Sequence, residues 1–131
     1  YVDMNTPSRQ KLDEIRQKYA LELMLLHGSQ VSGMTHIKSD TDIAVLSSDR
    51  EQKLDWYVLT SDLNEIFGVD NVDITLLDHA NPLLLKTVTD GARLLSGNVA
   101  DFFKLKLRSF HAYNDYLPYL KMESDFVRSQ L

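Results

Sequence analysis

The chain has 131 residues, of which 44% are hydrophobic, with no cysteine and a formal net charge of -5. That length supports one hydrophobic core and is short for two ordinary domains, and the absence of cysteine excludes disulfides, which fits a reducing cytoplasm. The acidic balance argues against a general nucleic-acid binder and against template-directed polymerisation, since backbone phosphates call for a basic stripe. No run approaches about 18 apolar residues and no basic-then-apolar leader opens the chain, so a soluble protein without a membrane span is expected. Tyr1 in place of methionine points to an altered or incomplete N-terminus.

In chain order, Thr6-Pro7 has the form of a cap followed by a first helical residue, and Leu12, Ile15 and Tyr19 share one helical face, so a helix is expected to about Tyr19. Leu21 to His27 (LELMLLH) is a short apolar run ended by Gly28, and Ile43 to Leu46 (IAVL) is another; both read as buried strands. Glu51 to Phe67 repeats apolar residues at helical spacing through Leu59, Leu63 and Ile66, with Gly68 as its stop. Val72 to Leu77 reads as a strand carrying one acid, Asp73. Pro82 can open a third helix that Gly91 breaks, and Val99 to about Arg128 is helical, with Phe103, Leu107 and Phe110 on one stripe and an interruption or kink at Pro118. The fold class is therefore α/β, a small mixed β-sheet packed with helices, in a single domain over 1–131 with a C-terminal helical segment from about 98.

The chemistry concentrates in Gly28-Ser29, followed ten residues later by Asp40-Thr41-Asp42. Gly28 lets a ligand approach the backbone closely, and Ser29 adds a hydroxyl and an amide donor suited to phosphate oxygens. Strand alternation sends residues two apart to one face, so Asp40 and Asp42 can converge on a small volume. Two carboxylates that close repel unless a cation lies between them, and hard oxygen donors beside substrate phosphates suit Mg²⁺. Asp73 interrupts an apolar strand pattern; read as a buried acid, it can serve as a further metal ligand and take a proton from an attacking hydroxyl.

With these residues in place, the chain resembles the minimal nucleotidyltransferases of the DNA polymerase beta superfamily, whose signature is Gly-Ser, ten residues, Asp-x-Asp, and a later Asp on a strand. The segments Asn81-Pro82-Leu83, Asp90-Gly91-Ala92-Arg93-Leu94-Leu95-Ser96-Gly97 and Ala112-Tyr113-Asn114-Asp115-Tyr116 are similar to the C-terminal half of MntA-type antitoxins, which pair with HEPN toxins. The resemblance implies the nucleotidyltransferase fold, phosphate binding at Gly28 and Ser29, and a catalytic metal site of Asp40, Asp42 and Asp73 with two Mg²⁺ ions. It further implies ATP as substrate and transfer of AMP to a tyrosine hydroxyl of a cognate HEPN ribonuclease toxin, which silences the toxin. Many relatives carry Ala-Arg-Gly where this chain has Val31-Ser32-Gly33, so a basic residue is missing at position 32, and Lys38 or Arg93 are candidates to replace it.

The other conspicuous residues have plainer readings. His27 ends an apolar strand and reads as a packed or hydrogen-bonded histidine, and the four histidines show no zinc-ligand spacing. Trp56, Phe103 and Phe110 read as core residues. Tyr113, Tyr116 and Tyr119 recur every third residue along one side of a helix, as packing or as a partner surface. Two further functional classes remain open at this point: a small-molecule nucleotidyltransferase of the aminoglycoside type, and an antitoxin that acts by binding alone.

Overall fold

The computed structural model describes residues 6–28, 41–49 and 52–131. Among them, four helices and four strands follow in the order α1 (Arg9–Lys18), β1 (Leu21–His27), β2 (Thr41–Ser47), α2 (Trp56–Phe67), β3 (Val72–Leu76), α3 (Pro82–Asp90), β4 (Arg93–Gly97) and α4 (Val99–Ser129). The strands form one sheet in the order β3-β2-β1-β4, with β1 antiparallel to both β2 and β4 and β2 parallel to β3. The sheet is thus mixed, as expected, although β4, with only five residues, is a strand that the apolar patterning does not reveal.

Helices cover both faces. On one side Leu12 and Ile15 of α1 and Leu59, Leu63 and Phe67 of α2 pack with Met24, Leu26, Ile43 and Val45. On the other, Leu85 and Val88 of α3 and Leu105 of α4 pack with Leu23, Leu25, Ala44 and Leu46. This double burial explains why β1 and β2 read as nearly continuous apolar runs: alternate residues of each strand enter different cores, and neither face meets water.

Local hydrogen bonding sets the helix limits. The Ser8 hydroxyl accepts from the Lys11 amide at 3.3 Å, so the first helix is capped at Ser8 and starts at Arg9, not at Thr6-Pro7. Asp55 accepts from the Val58 amide at 3.2 Å and holds an extended backbone, which starts α2 at Trp56 and not near Glu51. Gly68 closes that helix in the left-handed region with φ +68°, and Asn81 accepts from Leu84 N at 2.8 Å ahead of Pro82. Helix α4 runs continuously through Pro118. Its buried residues are Leu105 and Ser109, one stripe round from those expected: Phe103 and Phe110 are 65% and 53% exposed, and Trp56 at the start of α2 is also exposed. The core-facing stripe is carried by Phe102, Leu105 and Ser109, and Ser109 Oγ lies 3.0 Å from Thr89 Oγ1 of α3. Tyr113 and Tyr116 are partly buried and Tyr119 is exposed, so the tyrosine row turns outward along the helix.

Helices α1 and α2 are also tied through Asp62, which accepts from Lys18 Nζ at 2.8 Å and from the Tyr19 hydroxyl at 2.5 Å. The lysine bond, then the tyrosine bond, hold the Asp62 carboxyl below its ordinary range. A carboxyl depressed in the folded state stabilises it above the unfolded value and loses that contribution as pH falls through the folded one. Asp62→Asn should therefore melt lower than wild type near neutrality, with the difference shrinking as pH is lowered toward 3; thermal melts at several pH values read this directly. Leu63 is fully buried between α2 and the sheet, and Leu63→Ala should cost about 2–5 kcal/mol in denaturant unfolding without moving the sheet register.

Candidate functional site

The sheet topology brings one end of each of three strands together. Because β1 runs antiparallel to β2 and β2 parallel to β3, the last residue of β1 lies level with the second residues of β2 and β3. The register pairs His27 with Asp42 and Asp42 with Asp73, immediately beyond the paired apolar positions Leu26, Ile43 and Ile74. Residues in register on neighbouring strands share a face. His27, Asp42 and Asp73 thus form one cross-strand row on the face covered further along by α3 and α4.

Gly28 stands at the head of this row with φ +80°, a conformation that side chains disfavour. A Cβ built there would fall 2.3 Å from Asp42 Oδ2 and 3.2 Å from its Cγ, so the Asp42 carboxylate occupies the space that a side chain at position 28 would take. Glycine is required here twice over, by backbone conformation and by the carboxylate.

Burial differs along the row. His27 and Asp42 are partly buried, whereas Asp73 is exposed because β3 is an edge strand only five residues long. The expectation that Asp73 is a buried acid is therefore wrong, and its importance rests on its place beside Asp42. Burial pulls the His27 imidazole below its ordinary pKa, against the smaller opposing pull of the Asp42 and Asp73 charges. His27 Nε2 is buried and has no hydrogen-bond partner among the described residues.

Ser29 and Asp40, the other two signature residues, lie outside the described residues, as does Lys38. Arg93 lies opposite Leu26, whose side chain faces α1 and α2, and its guanidinium donates to the Thr6 hydroxyl at 3.2 Å, on the side of the sheet away from Asp42. Among the described residues no group of three or more histidine, cysteine or acidic side chains is arranged to hold a metal. The donor set itself still suits a hard divalent cation: Asp42 and Asp73 place two like charges in register on adjacent strands, and the glycine beside them makes room for the Asp42 carboxylate.

The sequence reading named Gly28, Asp42 and Asp73, which the register brings together, and gave His27 beside them only a packing or hydrogen-bonding role. The signal was present, since in an antiparallel hairpin the residue preceding the turn glycine faces the acid that opens the return strand. It needed the register to be known.

Comparison with known proteins agrees with this geometry. The family described as polymerase beta, nucleotidyltransferase matches residues 10–99, more than half of the chain and the part that contains the whole row. No curated protein matches the chain significantly. Among solved structures, a chain from the crystal structure of a toxin-antitoxin with AMP-PNP is 25% identical with a TM-score of 0.76, covering 92% of this chain and 98% of that one. A chain from the structure of a tri-AMPylated Shewanella oneidensis HEPN toxin in complex with an MNT antitoxin is 23% identical, TM-score 0.70, with 92% and 95% covered. One from the toxin-antitoxin MntA-HepT is 22% identical, TM-score 0.70, with 92% and 96% covered. These last two likenesses concern the fold. A glycine-headed carboxylate row at the end of a mixed sheet, within a family match that spans it, places the chain in the polymerase beta nucleotidyltransferase family.

Proposed function

We propose that the protein transfers AMP from ATP to a tyrosine hydroxyl of a cognate HEPN toxin and thereby acts as its antitoxin. The observation that carries this reading is the row of Asp42 and Asp73 beside Gly28, in a fold like those of chains from complexes that contain AMP-PNP and an AMPylated toxin. Gly28 and Ser29 receive the nucleotide phosphates. Asp42 and Asp73, joined by Asp40, hold divalent cations, Mg²⁺ by the chemistry of their oxygen donors, which when bound offset the charge that builds up on the phosphates.

In the transfer, the acceptor oxygen forms a bond to the α-phosphorus, the bond from that phosphorus to the oxygen bridging the β-phosphate breaks, and pyrophosphate leaves. Asp73 takes the hydroxyl proton. Its exposure on an edge strand supports a macromolecular acceptor, because a hydroxyl carried on a protein surface can reach it without entering a closed pocket. Exposed Phe110, Tyr119, Met122 and Phe126 on α4 supply apolar area for such a partner. That surface also supports a second reading in which binding alone neutralises the partner.

Co-expression with the protein encoded beside it, followed by intact-mass measurement of that neighbour, separates these readings. One or more AMP units on the neighbour with wild type, and none with Asp42→Ala, is the expected result; no mass gain with a stable complex from both forms would favour binding alone, and an active Asp42→Ala would overturn the mechanism. Gly28→Ala should abolish transfer as completely as Asp42→Ala does, since the added methyl displaces the Asp42 carboxylate, and the same mass assay with circular dichroism as the folding control checks it.

A further inference from the structure

We propose that His27 is a phosphate-positioning residue, its Nε2–H donating a hydrogen bond to a non-bridging oxygen of the bound nucleoside triphosphate. This rests on the nucleotidyl-transfer reading and assigns a residue that the carboxylate signature does not contain.

Three observations converge on it. The first is placement: His27 is the last residue of β1, directly before Gly28, and stands in register with Asp42 at the end of the sheet. The second is an unmet need. His27 Nε2 is buried without a hydrogen-bond partner among the described residues, and a buried polar atom left unpaired costs about 1–3 kcal/mol, so this atom, next to Gly28 and level with Asp42, is one that a ligand oxygen would satisfy. The third is a gap in the charge inventory. Position 32 is serine, and Arg93 is turned to the far face of the sheet, where it bonds Thr6. Among the described residues of the row, the imidazole is the one side chain able to donate to a phosphate oxygen, since Asp42 and Asp73 as carboxylates only accept.

Isothermal titration of AMP-PNP in the presence of Mg²⁺ tests the assignment on wild type, His27→Phe and His27→Gln, with Mg²⁺ titrated alone and thermal melts as controls. Phenylalanine fills the space without a donor, and glutamine returns an N–H at similar reach. The expected result is AMP-PNP affinity about tenfold weaker for His27→Phe and within about threefold of wild type for His27→Gln, the size of one hydrogen bond to a charged acceptor, with Mg²⁺ affinity and melting temperature unchanged. Equal affinity in wild type and His27→Phe overturns the proposal, as does equal weakening in both variants. Loss of Mg²⁺ affinity in step with nucleotide affinity also overturns it, because His27 would then act through the carboxylates. Failure of wild type itself to bind AMP-PNP would instead overturn the nucleotidyl-transfer reading, so the two failures are distinguishable.

Discussion

The register between β1 and β2 is the constraint on which the site depends. β1 is central, flanked by β2 and β4, and its residues Leu23 to Leu26 are buried in two cores on opposite faces. A slip of one residue would exchange the contents of the two cores and carry Asp42 to the other side of the sheet. The packing of Met24, Leu26, Ile43 and Val45 against α1 and α2 therefore determines where the carboxylates point, although none of these residues touches the chemistry. Hydrophobic burial, which has no direction of its own, becomes directional through the strict alternation of a strand.

At the end of the row, repulsion and close approach are balanced within a few ångströms. Asp42 and Asp73 lie level on adjacent strands, and the carboxylate of Asp42 leans into the space left by the missing side chain at position 28. The glycine of the signature is usually explained by a ligand's approach to the backbone. Here it has a second cause inside the protein, because the acid needs the room. Glycine and aspartate are sterically coupled, so the two signature elements are halves of one packing arrangement and not independent contacts to a nucleotide.

Much of this was legible in the sequence, for identifiable reasons. Leu21 to His27 and Ile43 to Leu46 are strong strand signals because both faces of each strand are buried. The reading failed where the outcome depended on neighbours in space. Asp73 was taken as buried because Val72, Ile74 and Leu76 surround it in sequence, yet its strand is the sheet edge and none of its five residues is fully buried. Phe103 and Phe110 were given to the core because they are large and helically spaced, but Leu105 and Ser109 occupy the facing stripe, and periodicity alone does not say which of two adjacent stripes turns inward. β4 was missed because Arg93, Ser96 and Gly97 interrupt its apolar residues; it is held by pairing with β1 and by Arg16, whose Nε donates to the Ser96 hydroxyl at 2.8 Å.

Helix α4 spans 31 residues, roughly 46 Å at the usual rise, and carries Pro118 in its interior. Proline has no amide hydrogen, so the carbonyl of Asn114 lacks the bond that would brace the turn, and the ring crowds the backbone there. The anchoring residues Leu105 and Ser109 lie before this point, and every residue from 121 onward is exposed. A bend at this turn would re-aim the outer helix while the strands that carry Asp42 and Asp73 stay still, so the outer surface would follow another molecule without moving the carboxylates.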